Sequence, residues 1–409
     1  MANTFKFGNG NWAVKDGYAL AYNDENNNFK PLPFDFTRAS SATTLNRQGL
    51  IETVGSGKPR IDFTDNTNGH LLLEPSRTNI AQRSEEFDNS YWLKSLTSIT
   101  ANQAISPDGT QTADTITKNA DFGALYKSGI SISSGSNYTL SIFVKKSTTN
   151  FFSLRQASGS YDVRKQFNLT TKEVSNGTGG NQTGFVSSEI KEYANDWLKI
   201  SIVCTSNGTS LTIGFYSGKV GESTNNGDSF IWGAQLEAGS YATSYIPTEG
   251  SSVTRVAETC VDAGNSTVFN DSEGVLYAEI AAFDTNVGNA RIGIDKASSG
   301  SSERVGIGFT TTTNQIQAFI SRSSTQANIL STVSDITTFN KIAFKYKVND
   351  FSLFINGTKV GTDTSGSVPI GLDELSFDDN DGTIFYGKCK QIIVFNEALT
   401  DTELQNLTS

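Results

Sequence analysis

Short segments in which apolar and polar residues alternate run along most of this chain, and they limit its fold more than any other feature. Leu140, Ile142 and Val144 share one face of such a segment, and the same spacing recurs at residues 198–204 and 342–348. A period of two with one polar face is typical of antiparallel β-sheets that contact water on one side. Clusters of Ser, Thr, Asn and Gly separate the segments and indicate many turns. The sequence therefore predicts an all-β fold.

Helical periodicity is nearly absent from the chain. The clearest signal lies near the C-terminal end, where Thr400 and Glu403 form a capping box ahead of about two helical turns. Aromatic residues make up 11% of the chain although all apolar residues together reach only 36%. Because disordered chains are poor in aromatic residues, this composition favours a folded chain with thin, ring-rich sheet cores.

The length of 409 residues is too great for a single ordinary core, so we expect two or three domains. Residues 83–86 are polar, and residues 246–252 combine polar residues with proline and glycine, as is common where a chain leaves a compact unit. These two boundaries divide the chain into domains at about 1–84, 85–250 and 265–409.

Charge, hydropathy and the single histidine exclude several classes of protein. The net charge is −10 and no basic cluster occurs, so nucleic acid is not an expected partner. His70 is the only histidine, so a His-x-x-x-His zinc site is excluded and a catalytic triad would need this residue. No apolar stretch approaches the roughly 18 residues of a membrane span, so we expect no membrane insertion.

The cysteines and the N-terminal residues bear on where the protein is made. Cys204, Cys260 and Cys389 are far apart and odd in number, so we expect buried thiols in a reducing cytoplasm. Residues 1–6 lack the basic region and apolar run of a signal peptide. We therefore expect synthesis in a cytoplasm without a secretion signal.

Aromatic and arginine residues on two adjacent segments suit carbohydrate binding. Sugars are held by aromatic rings against their C–H faces and by hydrogen bonds to their hydroxyls. Phe152 and Arg155 lie on one segment, and Tyr161 and Arg164 lie on the next. We predict that these four residues contact a sugar; the alternative is that the rings belong to the core and the arginines are merely solvated.

An acidic run at residues 378–382 is a second candidate site. Asp379, Asn380 and Asp381 offer hard oxygen atoms within one loop, which suits a sugar or Ca²⁺. The run lacks the bidentate glutamate of an EF-hand loop, and the same residue types are those that a tight turn prefers. We expect no cofactor. Two alternatives to a sugar contact stay open for this run: it ligates Ca²⁺, or it is a simple turn.

Paired carboxylates are the alternative that would make the protein an enzyme. Glu189, Glu192 and Asp196 lie near Trp197 in the sequence, a setting in which a glycosidase places its acid and base. The same carboxylates are equally typical of a solvated strand edge.

Several longer motifs resemble a known family. Three of them resemble the N-terminal module of many bacteriophage fibre and virion structural proteins: residues 36–43 (FTRASSAT), 46–52 (NRQGLIE) and 72–79 (LLEPSRTN). The jelly-roll module that usually follows, which is similar to carbohydrate-binding modules of the β-sandwich type, is represented by Trp92 and by residues 195–200 (NDWLKI), 232–239 (WGAQLEAG) and 244–248 (SYIPT).

Residues 265–409 resemble a concanavalin-A-like sandwich of the laminin-G type. The resemblance rests on residues 339–346 (FNKIAFKY), 353–358 (LFINGT) and 393–400 (IVFNEALT). The Asn356-Gly357 pair predicts a tight hairpin turn with positive φ at both residues. Such domains commonly bind glycans, sometimes through Ca²⁺.

The resemblance implies a non-enzymatic phage virion protein, a tail or head fibre, that adheres to host surface polysaccharide. It implies an N-terminal module attached to other virion proteins and followed by two antiparallel β-sandwich (jelly-roll) domains. It also implies a homotrimer that is assembled in the bacterial host cytoplasm and becomes part of the virion. Two alternatives stay open: a polysaccharide depolymerase with paired carboxylates, and a purely structural capsid or tail decoration protein.

Overall fold

The computed structural model describes residues 4–23, 28–29, 32–64, 66–222, 227–380 and 382–409. Antiparallel strands dominate these residues, which confirms the all-β prediction. Among the described residues, no helix is both long and apolar enough to cross a lipid bilayer.

The strands follow one another closely along the chain, and one α-helix, α1 (Asp401–Thr408), ends the described part. The first ten are β1 (Thr4–Gly8), β2 (Trp12–Lys15), β3 (Tyr18–Asn23), β4 (Asn28–Phe29), β5 (Phe34–Thr37), β6 (Ala42–Leu45), β7 (Ile51–Val54), β8 (Arg60–Asp62), β9 (His70–Leu73) and β10 (Arg77–Asn79). The next twelve are β11 (Leu93–Ser95), β12 (Thr97–Ala104), β13 (Ala113–Lys118), β14 (Ala124–Ser131), β15 (Asn137–Lys146), β16 (Phe151–Ser158), β17 (Tyr161–Asn168), β18 (Val174–Asn176), β19 (Phe185–Glu192), β20 (Trp197–Thr205), β21 (Ser210–Ser217) and β22 (Asp228–Ala238). The last twelve are β23 (Val253–Arg255), β24 (Thr259–Val261), β25 (Glu273–Ala281), β26 (Ala290–Asp295), β27 (Glu303–Phe309), β28 (Gln315–Arg322), β29 (Ser324–Thr332), β30 (Asn340–Lys347), β31 (Phe351–Ile355), β32 (Thr358–Asp363), β33 (Glu374–Ser376) and β34 (Gly387–Phe395).

The chain divides into two compact units, whereas the sequence analysis expected three consecutive domains. Unit 1 comprises Met1–Ser41, Val54–Pro75 and Val256–Ser409, and unit 2 comprises Ala42–Thr53 and Ser76–Arg255. The first 84 residues are therefore shared between the two units. A strand needs a partner for its backbone hydrogen bonds, and these N-terminal strands find partners that are distant in the sequence.

The described residues of unit 1 form three sheets. The largest runs β32-β31-β30-β25-β34-β9-β8, with β1 also paired to β34. A five-stranded sheet runs β29-β28-β27-β26-β33, and a third sheet runs β2-β3-β5-β24, with β4 paired to β3. Thr4 pairs with Phe395 and Leu72 pairs with Lys388. Through these pairings N-terminal residues complete the C-terminal sandwich, and residues such as Phe34, Leu73 and Ile392 share its core.

Unit 2 contains two six-stranded sheets, which we call the front sheet and the back sheet. The front sheet runs β11-β14-β21-β16-β17-β18, and the back sheet runs β12-β13-β22-β15-β20-β19. Apolar residues of both sheets, such as Leu154 of β16 and Ile142 of β15, form one core between them. The pairs β10-β23 and β6-β7 form two small ribbons.

The centre of the outer face of the back sheet is covered, in contrast to the expectation of one wet face, whereas its edge strands β12 and β19 carry exposed residues. Phe143 points outward from β15 and packs with Trp197, Trp232, Tyr245 and Ile51. Tyr245 and Ile51 come from chain segments outside the sheet. These two side chains cover part of the face for which the period of two predicted mostly polar residues.

Three tryptophans lie in the core, and the burial of the three cysteines matches the sequence prediction. Trp92, Trp197 and Trp232 are at most 2% exposed. The cysteines are all buried and free of disulfide bonds: Cys204, Cys260 and Cys389.

A buried ion network in unit 1 accounts for part of the motif at 36–43 and of the motif at 72–79. Glu258 accepts hydrogen bonds from Arg38 Nη1 at 2.6 Å and from Arg60 Nε at 2.9 Å. Arg60 Nη1 donates to Glu74 at 2.8 Å. All four side chains are at most 2% exposed, so these motif residues hold unit 1 together and do not face a ligand.

Two local predictions at the C-terminal end are confirmed. The Thr400 N–H donates to Glu403 Oε2 at 2.8 Å, and the Glu403 N–H donates to Thr400 Oγ1 at 3.4 Å, so the capping box forms. Asn356 and Gly357 have φ values of 47° and 79°, as the hairpin turn requires. Helix α1 packs Leu404 against Tyr277 and Ala343 of the largest sheet of unit 1.

Candidate functional site

The outer face of the front sheet carries the two arginines that the sequence analysis selected. Strands β16 and β17 pair in register, and Arg155 lies directly opposite Arg164. Successive side chains of a strand point to opposite faces. Because Leu154 and Val163 belong to the core, Arg155 and Arg164 point away from it.

A single carboxylate holds both guanidinium groups. Arg155 donates to Asp162 through Nε at 2.6 Å and through Nη2 at 3.1 Å. Arg164 donates to the same carboxylate through Nη2 at 2.7 Å and through Nε at 3.3 Å. The side chains of Arg155, Asp162 and Arg164 are 25%, 25% and 14% exposed, so water or a ligand reaches all three.

The ionisation of these groups follows from this contact. Partial burial would raise the pKa of Asp162, but the hydrogen bonds from Arg155 and Arg164 outweigh burial and lower that pKa. Partial burial opposes ionisation of Arg155, yet its bonds to Asp162 raise the pKa of the guanidinium group. Asp162 and Arg155 are therefore charged at neutral pH, so two guanidinium groups share one carboxylate and the cluster carries an excess of one positive charge.

Tyr216 and Gln166 adjoin the cluster on the same outer face. The Tyr216 hydroxyl lies beside the Arg155 guanidinium group. Gly214 lies opposite Arg155 in β21, and the Tyr216 ring lies beside it, 3.4 Å from where a Cβ atom at Gly214 would be. Gln166 is 4% exposed, and its Nε2 has no hydrogen-bond partner among the described residues.

Phe122 places an exposed ring beside this polar cluster. Phe122 is 49% exposed, and its backbone φ of 57° lies in the left-handed region that non-glycine residues rarely adopt. A Cβ atom on Gly179 would lie 3.9 Å from the Phe122 ring and 3.1 Å from Arg164 Nη1. The Phe122 ring and the Arg164 guanidinium group therefore both lie close to Gly179, which has no side chain between them.

We call this group of residues the front-face site: Phe122, Arg155, Asp162, Arg164, Gln166 and Tyr216. It combines an apolar ring surface with charged and neutral N–H donors, which is the combination that binds a sugar. Sequence reasoning missed Phe122, Asp162, Gln166 and Tyr216. The signal for Phe122 was its position in a short polar turn before Gly123, where a large ring has no core to enter.

The other two residues predicted for this site belong to the core, and the prediction for them needs correction. Phe152 is 0% exposed and Tyr161 is 2% exposed, and both pack between the sheets of unit 2. Each lies three residues from its arginine, and an odd separation along a strand places two side chains on opposite faces. A sugar on the outer face meets the arginines and not these rings.

The acidic loop of unit 1 is a separate place in the fold. Asp379 is 0% exposed and forms ion pairs with Arg291 at 2.8 Å and with Arg304 at 2.7 Å. Both guanidinium groups lie 5.0 Å from the centre of the Phe319 ring. The buried Asp379 carboxylate is therefore occupied by two partly buried arginines, so its prediction as a sugar or Ca²⁺ contact also needs correction.

The two neighbours of Asp379 in the acidic run complete this description. Asn380 has a φ of 58°, and its side chain donates to the carbonyl oxygens of Lys296 and Ala297, each at 3.3 Å. These features are those of a tight turn. Asp381 lies outside the described residues. In the described part of the chain, no group of three or more His, Cys, Asp or Glu side chains is arranged to hold a metal ion.

The carboxylates that would serve a glycosidase lie elsewhere on unit 2. Glu189 and Glu192 are exposed on the edge strand β19, and Asp196 is exposed just before Trp197. Glu192 forms an ion pair with Lys172.

A cleft of about 320 Å³ lies at another place on unit 2. It is lined by Ser76, Arg77, Thr78, Ile80, Ser131, Tyr138 and Ala238. The Arg77 guanidinium group lies 5.3 Å from the centre of the Tyr241 ring.

Comparison with known proteins gives distant structural likenesses. No protein-family profile matches the chain, and no curated protein matches it. One similar structure is the Ruminococcus gnavus IT-sialidase CBM40 bound to α2,3-sialyllactose, with 16% identity, coverage of 36% of this chain and 92% of that chain, and a TM-score of 0.30. Another is domain 4 of AbnA, a GH43 extracellular arabinanase from Geobacillus stearothermophilus, in complex with arabinotriose, with 11% identity, coverage of 42% and 82%, and a TM-score of 0.29. A third is the heptameric SAP-like pentraxin from Limulus polyphemus, with 11% identity, coverage of 34% and 70%, and a TM-score of 0.26. TM-scores this low carry no argument about what this chain binds.

Proposed function

We propose that unit 2 binds a glycan through the front-face site. The observation that carries this proposal is the pair of guanidinium groups on Asp162 beside the exposed Phe122 ring. The ring offers a surface for the C–H face of a sugar, and the guanidinium groups donate to its hydroxyl or carboxyl oxygens.

We further propose that the protein works without chemistry, as an adhesive component of a bacteriophage virion. The motifs at residues 36–43, 72–79 and 232–239, which resemble those of phage fibre proteins, support this proposal. In this proposal the protein is a homotrimer that contacts other virion proteins, is assembled in the host cytoplasm and binds host surface polysaccharide. Several weak sites on one particle would then bind strongly through their high effective concentration.

The test is a glycan array probed with the full-length protein and two variants, Arg155→Ala and Phe122→Ala. Hydrogen bonds to charged groups contribute about 1.5–3 kcal/mol, so we expect Arg155→Ala to weaken binding at least about tenfold. Phe122→Ala removes the ring surface, and we expect a loss of similar size.

Arg83→Ala is the matched control, because Arg83 is also a partly exposed arginine of unit 2 and forms an ion pair with Glu86. It is expected to bind as the unchanged protein does. Thermal melts of all proteins exclude unfolding as the cause of a loss. If both site variants retain full binding, the front-face site does not bind the glycan.

A further inference from the structure

We infer that the front-face site selects glycans that carry a carboxylate, such as uronic acids and nonulosonic acids. The inference rests on the proposed glycan binding and names the class of sugar. It follows from the charge balance of the site and from the hydrogen-bond donors that the site leaves unused.

The charge balance favours an anionic sugar. Arg155 and Arg164 share one carboxylate, so the cluster lacks one negative charge. The two guanidinium groups are only 25% and 14% exposed, and partial removal from water strengthens their attraction for a second anion. The whole chain carries a net charge of −10, which repels acidic polymers at long range. The local positive charge at Arg155 and Arg164 gives an acidic ligand an attractive contact on a chain that otherwise repels it.

The unused hydrogen-bonding groups are donors. Two N–H groups of Arg155 bond Asp162, and Arg164 uses two on Asp162 and one on the Thr178 carbonyl at 3.0 Å. A guanidinium group carries more N–H donors than these bonds use. A carboxylate only accepts hydrogen bonds, so it matches a surface of spare donors better than a hydroxyl does.

The experiment compares acidic oligosaccharides, each printed beside its carboxyl-reduced counterpart, in which the carboxylate has become a primary alcohol. The full-length protein, Arg155→Ala, Arg155→Lys and the control Arg83→Ala are probed at low and high salt. We expect reduction of the carboxyl group to weaken binding at least about tenfold. We also expect Arg155→Ala to lose most of this discrimination and added salt to weaken binding of the acidic form. Arg155→Lys keeps the charge and the aliphatic stem, so it tests the site if Arg155→Ala does not fold.

The possible results separate the two proposals. Equal binding within the pairs, or binding of neutral glycans alone, overturns the inference and leaves glycan binding in place. Discrimination that Arg155→Ala and Arg155→Lys both retain in full also overturns it, because the carboxylate is then read elsewhere. Binding to no glycan of any kind overturns the proposed function together with the inference.

Discussion

Replacement of Asn79 by alanine tests whether the family-like motifs of this chain serve structure. The Asn79 side chain is 0% exposed. Its Nδ2 donates to the carbonyl oxygens of Ile246 at 2.8 Å and Ala234 at 3.1 Å. Its Oδ1 accepts from the N–H groups of Leu236 at 3.0 Å and Ala81 at 3.1 Å. The Asn79 side chain thus joins the motif at residues 72–79 to the motifs at residues 232–239 and 244–248.

The expected loss of stability follows from these four bonds. A net hydrogen bond contributes about 1 kcal/mol, and Asn79→Ala leaves four buried backbone groups without this partner. We therefore expect the free energy of unfolding of unit 2 to fall by about 4 kcal/mol. For a unit of this size that loss corresponds to a decrease in Tm of about 8–16 °C.

The assay is differential scanning calorimetry of the full-length protein, with tryptophan fluorescence as a second probe. Trp92, Trp197 and Trp232 belong to unit 2, so fluorescence reports mainly on that unit. Asn119→Ala is the matched control, because Asn119 is exposed and its change should alter stability by less than about 0.5 kcal/mol. If Asn79→Ala costs no more than Asn119→Ala, the structural account of the motifs is wrong.

Two further predictions concern buried charges. Glu258→Gln removes the charge that Arg38 and Arg60 share in unit 1, and we expect a loss of about 3–5 kcal/mol in the calorimetric transition of that unit. A loss below about 1 kcal/mol would contradict a tightly coupled network. In unit 2, burial raises the pKa of Asp114 from 3.8 to about 6. The folded state then binds this proton more tightly than the unfolded chain does, so stability present below pH 3.8 is lost as the pH rises through about 6. Asp114→Asn should remove this part of the pH dependence of Tm, and an unchanged slope would refute the assignment.

Features that depend on neighbouring residues were predictable from the sequence. The alternation along β15 and β20, the hairpin turn at Asn356-Gly357 and the capping box of Thr400 and Glu403 all arise within a few residues. Local backbone geometry decides them.

Features that depend on distant partners were not predictable in this way. β9 pairs with β34, more than three hundred residues along the chain, and the alternation of a strand does not reveal its partner. The two-unit division follows from such pairings. The cover over Phe143 is another example, because Tyr245 and Ile51 arrive from other parts of the chain.

The candidate site was predictable in part. The two arginines were selected from composition, and the period of two already places Phe152 and Tyr161 on the opposite face from them. When the period of two is applied to β16 and β17, the predicted site loses Phe152 and Tyr161 and gains Asp162, which lies on the same face as Arg164. The approach of Phe122 to Gly179 depends on a left-handed backbone and a distant loop, and no sequence spacing announces it.

A crystal structure of the full-length protein with an oligosaccharide selected on the array is the most direct test of glycan binding by the front-face site. The account predicts sugar density against the guanidinium groups of Arg155 and Arg164 and against the Phe122 ring. Density in the cleft lined by Arg77, or at the acidic loop around Asp379, with the front-face site empty would contradict it.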